Sequence, residues 1–136
     1  MYLLDTSFLI DLVRGKREAI ELARKLDEER AYIAVSAVTV YEYLLGVYLS
    51  YWGDEEKLKG KLEVAESELA RLDVLPFNGE IARKTAEIAA YLLNRGEVIG
   101  LADIIIAATA LTYNLKLVTR NVKHFSRVPG LKVLTY

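Results

Sequence analysis

The chain has 136 residues, 53% hydrophobic and 27% charged, which gives enough apolar surface for one packed domain and excludes a disordered or low-complexity chain. It has no cysteine and one histidine, which excludes a disulfide scaffold, a thiolate nucleophile and a zinc site built on sulfur. Its 18 basic and 19 acidic residues leave a net charge of -1, which does not by itself indicate a nucleic-acid partner.

The spacing of apolar residues predicts strands and helices in alternation. In chain order these are a strand at 2–5, helices at 8–13 and 17–29, a strand at 32–35, helices at 36–51 and 54–71, a strand at 73–75, a helix at 79–94, a buried helix at 102–113 and strands at 115–119 and 132–135. Thr6 and Ser7 are predicted to cap the first helix, with Asp5 as an alternative cap, Gly15 to end it, and Ser36 to cap the third. Asp11 is predicted to lie exposed on the first helix.

Strands that alternate with helices over short connections are typical of an α/β domain with three layers, α/β/α, around a mainly parallel central sheet. We therefore predict a single domain over residues 1–136 with four to five strands. No apolar run is long enough for a membrane span, and no basic segment precedes an apolar stretch at the N-terminus. We expect a cytoplasmic protein.

The basic residues are unevenly distributed along the chain. Residues 104–136 carry five lysines or arginines and no acid, so the last quarter of the chain is strongly basic although the total is near zero. A near-neutral protein can thus present a basic surface to a nucleic acid.

Three acidic residues lie in apolar surroundings. Asp5 ends the first predicted strand, Glu42 lies inside the apolar third helix, and Asp103 opens the buried helix. An isolated carboxylate in such a setting is costly unless it is paired, hydrogen-bonded or bound to metal. Because ligand sites of parallel sheets lie beyond the carboxyl ends of the strands, we expect all three to face one cleft.

Converging carboxylates need a cation. At about 4 Å and an effective dielectric of about 20, each pair repels by about 4 kcal/mol. Mg²⁺ or Mn²⁺ accepts oxygen ligands and needs neither sulfur nor imidazole. Such an ion lowers the pKa of a bound water and stabilises a phosphoryl transition state, so the matching substrate is a phosphodiester.

The same residues carry a family resemblance. The segments LLDTS at 3–7, LADIIIAATA at 101–110 and LVTRNVKHF at 117–125, with Glu42 in a helix before Gly46, resemble the PIN domain, and within it most closely the VapC-type toxins of prokaryotic toxin–antitoxin pairs. The similarity covers essentially the whole chain. It implies a metal-dependent endoribonuclease with Asp5, Glu42 and Asp103 as metal ligands, and a cognate antitoxin as partner.

The chain departs from the family pattern at two positions. Asn121 stands where many members have a fourth acid, which puts a second tightly held metal in doubt, and His124 stands where many have aspartate. We interpret His124 as a surface or packing histidine. Ser7, Thr119 and Asn121 are candidates to support the metal or a water.

Two surfaces are predicted to contact partners. Four basic residues are candidate RNA contacts: Arg14, Lys16, Arg120 and Lys123. Five aromatic residues lie between Tyr41 and Trp52, too many for one helix to bury, and Tyr and Trp are favoured at interfaces. This region could serve a homodimer, the antitoxin or both.

Two functions remain open on the sequence. The leading hypothesis is a hydrolase that cleaves RNA with a metal-activated water. The alternative is a noncatalytic module that binds RNA or protein and has lost chemistry with the fourth acid. A phosphoacceptor domain is disfavoured, because no Asp follows a central strand in the required setting.

Overall fold

The central sheet has five strands, all parallel. In the computed structural model, which describes residues 1–136, the strands are β1 (Tyr2–Leu4), β2 (Ile33–Ser36), β3 (Asp73–Leu75), β4 (Lys116–Val118) and β5 (Val133–Leu134), in the spatial order β3-β2-β1-β4-β5. The predicted fold class is confirmed, and each predicted strand is present with its ends shifted by no more than two residues.

Seven helices connect or flank the strands. They are α1 (Thr6–Val13), α2 (Arg17–Glu28), α3 (Ala37–Ser50), α4 (Glu55–Leu69), α5 (Gly79–Asn94), α6 (Leu101–Thr112) and α7 (Val122–Phe125). Six of them were predicted. The short α7 was not, since four residues are too few to show a helical period.

Neighbouring residues of each central strand face opposite sides of the sheet and build two cores. Leu3, Ala34 and Leu117 belong to a buried cluster with α5 and α6, and the next residue of each strand belongs to a second cluster with α1, α2 and α4. The sheet is therefore the middle of three layers, as predicted.

Helix α6 is apolar on every side because it is enclosed. All its residues from Ile104 to Ala110 are buried, and its largest set of contacts is with α5. Asp103 precedes this buried run in the first turn of the helix. The packing of α6 in the core therefore fixes the position of the Asp103 backbone.

The strand order places a crevice beside β1. The chain runs from β1 outward through β2 to β3, then returns to add β4 on the other side of β1. The connections that leave the carboxyl ends of β1 and β4 diverge there, which is the usual position of a ligand site in an open parallel sheet.

Helices α3 and α4 lie antiparallel, as predicted. The Tyr43 hydroxyl donates to Glu68 at 2.6 Å. Closer to the turn that joins the two helices, Lys61 Nζ lies 5.7 Å from the centre of the Tyr51 ring. Tyr43 is buried, whereas Tyr41, Tyr48 and Trp52 are exposed. The prediction that this region cannot bury all its aromatic rings is confirmed. None of the seven helices combines the length and the apolar character needed to cross a membrane.

Candidate active site

Asp5 lies directly after β1 and caps α1. Its Oδ1 accepts the backbone N–H of Thr6 at 2.9 Å, so Asp5 is the capping residue. The prediction that Thr6 and Ser7 cap this helix is wrong: both lie within its first turn. Capping and a site role are compatible, since the cap occupies one carboxylate oxygen and holds the group at the sheet edge.

Two hydroxyls hold the other oxygen of Asp5. Ser7 and Thr119 each donate to Oδ2 at 2.7 Å. Thr119 follows β4, is fully buried, and accepts the backbone N–H of Asn121 at 3.0 Å. Hydrogen bonds to this one carboxylate thus join the segments that follow β1 and β4. The expectation that Ser7 and Thr119 lie next to the acids agrees with these contacts.

Glu42 reaches the site from α3. Its Oε1 accepts the Thr6 hydroxyl at 2.7 Å, and the same hydroxyl lies 3.1 Å from that of Thr39. Thr39 is fully buried and was missed by the sequence analysis. A polar residue three positions before Glu42, on the same face of an apolar helix, was the available indication.

Asp103 approaches from α6 and has the histidine beside it. His124 Nδ1 lies 3.4 Å from Asp103 Oδ2. The His124 side chain is about half exposed, which agrees with a surface histidine, but its position next to a site acid was not foreseen. It stands on α7, the helix that was not predicted.

The carboxylates are close enough to act on each other's ionisation. Burial raises the pKa of Glu42 above its ordinary value, and the charges of Asp103 and Asp5 raise it further, while the hydrogen bond from Thr6 opposes the shift. Burial and the charge of Asp5 likewise raise the pKa of Asp103, against the opposing effect of His124. The protein therefore maintains negative charge at this edge at a cost, as expected of a cation site.

The donor set fits a hard divalent cation. Asp5 uses three of its about four acceptor positions for the protein, which leaves one on Oδ1. Glu42 Oε2 and Asp103 Oδ1 accept no hydrogen bond from the protein. As the side chains stand, no group of three acids or histidines is gathered tightly enough to hold an ion, so binding requires side-chain movement.

Asp11 is buried, and the prediction that it is exposed is wrong. Only 1% of the residue is accessible. Its Oδ1 accepts Arg120 Nη1 at 2.8 Å and lies 3.6 Å from Lys16 Nζ, and its Oδ2 accepts the Tyr136 hydroxyl at 2.6 Å. Burial and the bond to Asp11 raise the pKa of Tyr136. Two predicted RNA contacts, Arg120 and Lys16, thus share one buried anion.

The remaining candidate residues are spread around the site. Arg14 and Glu42 line one groove of about 340 Å³ between α1, α3 and α4. Lys123 is exposed on α7, and the side chain of Asn121 makes no capping bond to that helix. The side chains of Arg14, Asn121 and Lys123 are therefore free to contact a ligand.

A larger groove shares Val13, Tyr43 and Glu68 with the first. It has a volume of about 580 Å³, is bounded by α1, α2, β2 and the end of α4, and is lined mostly by apolar residues, among them Leu12, Val13 and Leu72. This groove could not be predicted from the sequence, because its walls come from segments about sixty residues apart.

The chain is similar to a known family and to named proteins over nearly its whole length. The model of the PIN domain matches residues 2–131. "Ribonuclease VapC" of Rickettsia bellii is 37% identical over 133 residues, which cover 98% of this chain and 94% of the relative. "tRNA(fMet)-specific endonuclease VapC" of Salmonella typhimurium is 30% identical over 132 residues, 97% of this chain and 95% of the relative.

A solved structure agrees with the sequence comparison. The crystal structure of DNA-bound VapBC from Salmonella typhimurium contains a chain that superposes with a TM-score of 0.84 at 28% identity, covering 98% of this chain and 96% of that one. Family model, sequence relatives and backbone agree over nearly the whole length. The chain therefore belongs to the PIN domain family and, within it, to the VapC ribonucleases.

Proposed function

We propose that the protein is an endoribonuclease that hydrolyses RNA phosphodiester bonds with a divalent metal ion, as the toxin of a toxin–antitoxin pair. The observation that supports this proposal is that Asp5, Glu42 and Asp103 lie close enough for their charges to interact: burial and repulsion from the other site acids raise the pKa values of Glu42 and Asp103. Membership of the VapC ribonucleases, two of which are named for cleaving RNA, supports the choice of substrate.

The three carboxylates are the proposed metal ligands. Nucleases of this family generally depend on a divalent metal ion, and we propose Mg²⁺ or Mn²⁺ because the proposed ligands are all carboxylate oxygens. When bound, such an ion supplies an activated water and stabilises charge on the phosphate.

The protein's own residues fix the donors in place. The Thr6 N–H and the hydroxyls of Ser7 and Thr119 orient the Asp5 carboxylate, and the Thr6 hydroxyl orients Glu42. All are neutral donors, so they align the acids without neutralising them. We propose that the Asn121 amide orients a water and that the exposed cations Arg14 and Lys123 hold RNA phosphates.

A cognate antitoxin is the proposed protein partner. Solved structures similar to this chain include VapBC from Salmonella typhimurium and a toxin–antitoxin complex from Klebsiella pneumoniae. The apolar groove beside α1 suits an amphipathic segment of such a partner, since its lining is largely apolar while Arg71 and Asp73 mark its rim. The exposed rings of Tyr41, Tyr48 and Trp52 suit a homodimer contact.

We further propose that residues 1–136 act as one domain and that the protein works in the cytoplasm. The two cores lie on opposite faces of one sheet, and every proposed site residue belongs to an element that packs against this sheet. Cleavage of cellular RNA requires a location where RNA is present.

The test is RNA cleavage by the purified chain. Labelled bulk tRNA should be cut when Mg²⁺ or Mn²⁺ is added, and cleavage should stop with EDTA. Asp5→Asn should be inactive while its melting temperature stays within a few degrees of wild type. Cleavage that persists in EDTA and in Asp5→Asn would contradict the proposal.

The alternative, a noncatalytic RNA- or protein-binding module, is favoured by one observation: the acids are not yet gathered into a tight cluster, and Asn121 replaces a possible fourth acid. It predicts RNA binding without turnover at any concentration of Mn²⁺. The cleavage assay above separates the two functions directly.

A further inference from the structure

The buried acid Asp11 takes no part in the chemistry proposed above. It is nevertheless the least exposed carboxylate of the chain, and two cationic side chains contact it. It lies on α1, six residues after Asp5. Burying an anion is favourable only when its partners are well placed. Arg120, Lys16 and Tyr136 come from three separate segments and meet on its two oxygens.

Both cations keep hydrogen-bond donors that Asp11 does not use. Arg120 donates only Nη1 to Asp11, and its other guanidinium N–H groups have no protein acceptor. Its side chain is 41% exposed, and that of Lys16 is 50% exposed. One carboxylate shared by two partly exposed cations leaves an excess positive charge at the surface.

The cluster adjoins the proposed active site. Arg120 directly follows Thr119, which hydrogen-bonds Asp5, and the Tyr136 hydroxyl is near that of Ser7, the other donor to Asp5. A phosphate held here would belong to the same RNA strand as the phosphate at the carboxylates. The position suits a neighbouring nucleotide of the substrate.

We propose that Asp11 is a positioning residue that gathers Arg120 and Lys16 into a binding site for an RNA backbone phosphate, next to the scissile one. Tyr136 completes the site by holding the second oxygen of Asp11. This inference rests on the proposed RNA substrate. It assigns Asp11 a role in binding rather than in metal ligation.

The sign of one effect distinguishes this proposal from simple charge attraction. Asp11→Asn removes a negative charge near the RNA, so long-range electrostatics alone predicts tighter binding. If Asp11 positions the two cations, its loss weakens binding, because the guanidinium fork is no longer held toward the phosphate.

The experiment measures binding of fluorescein-labelled bulk tRNA in EDTA, where cleavage is suppressed. Arg120→Ala should raise Kd about tenfold and reduce the slope of log K against log salt by about one. Asp11→Asn should raise Kd by roughly three- to tenfold, and Arg120→Lys should recover only part of the loss, since lysine lacks the fork. Tyr136→Phe, which changes no charge, should raise Kd by roughly twofold.

Lys116→Ala is the matched control. Lys116 is exposed at the start of β4, whereas Arg120 follows the end of the same strand. The two residues therefore lie at opposite ends of β4. Its loss should change Kd less than twofold.

The proposal is overturned if Asp11→Asn binds as tightly as wild type or more tightly, or if Arg120→Ala matches Lys116→Ala. Should Asp11→Asn not fold, Arg120→Ala and Tyr136→Phe decide the matter. A wild type that cleaves tRNA with metal while these variants bind normally refutes this inference alone. A wild type that neither binds nor cleaves refutes the proposed function as well.

Discussion

Asp5 and Asp11 are two buried aspartates six residues apart on the same segment, with opposite kinds of partner. Asp5 is 3% exposed and accepts only neutral donors, one backbone N–H and two hydroxyls. Asp11 is 1% exposed and faces an arginine, a lysine and a phenol. Neutral donors orient a carboxylate and leave its charge for a ligand, whereas cations neutralise it.

Burial of an acid does not by itself reveal its role. The nature of its partners does. Asp5 and Glu42 have no cationic partner in the protein, an arrangement that costs stability until a metal ion binds. Asp11 has its counter-charges built in, so it contributes to stability and to the placement of Arg120.

The largest expected effect separates the two aspartates by activity. Asp5→Asn keeps the shape of the side chain but removes the charge that a metal requires. A loss of about 4 kcal/mol of transition-state stabilisation corresponds to a kcat/KM lower by roughly a thousandfold. Initial rates of tRNA cleavage in Mn²⁺ measure it, with the exposed Asp27→Asn as control. A rate within tenfold of wild type would remove Asp5 from the metal site.

The neutral donors around Asp5 should matter next. Thr119→Val keeps the volume of the side chain and removes the hydroxyl that donates to Asp5. Loss of a group that orients a metal ligand typically weakens metal affinity by about 10- to 100-fold. Calorimetric titration with Mn²⁺ checks this, and Thr112→Val, at the end of α6, is a control expected to bind like wild type.

The partners of Asp11 should appear in stability. Asp11→Asn leaves Arg120 without its counter-charge, and because that side chain is 41% exposed the cost should be about 2 kcal/mol in the free energy of unfolding, below the range for fully buried pairs. Urea unfolding measures it. In the same assay Asp5→Asn should be within about 1 kcal/mol of wild type, and equal losses in both variants would dissolve the distinction between the two aspartates.

The smallest expected effect has the opposite sign. The pKa of Asp103 is raised in the folded protein, so its neutral form is favoured there, and metal-free protein should lose stability as pH rises above the ordinary value of 3.8 through the raised pKa. Asp103→Asn should therefore melt a few degrees above wild type at neutral pH in EDTA, for a gain of about 1 kcal/mol. Mn²⁺ should raise the melting temperature of wild type only.

Local features of the structure could be predicted from the sequence. Helical periods set the six long helices, and the apolar surroundings of Asp5, Glu42 and Asp103 indicated a shared site. The cap of α1 was misplaced by one residue because three capping residue types, Asp5, Thr6 and Ser7, follow one another. Local propensity alone cannot choose among them.

Contacts between distant segments could not be predicted in this way. The partners that bury Asp11, Arg120 and Tyr136, lie 109 and 125 positions along the chain. Nothing within α1 indicates that its polar face meets the end of β5. His124 was placed at the surface correctly, but its approach to Asp103 depends on α7, whose four residues carry no period.

Direct binding of Mn²⁺ to the metal-free protein tests the central claim, that Asp5, Glu42 and Asp103 form a cation site while Asp11 does not. Isothermal titration should show binding by wild type and by Asp11→Asn, and none by Asp5→Asn or Asp103→Asn under the same conditions. Equal binding by wild type and Asp5→Asn, or loss of binding in folded Asp11→Asn alone, would contradict it.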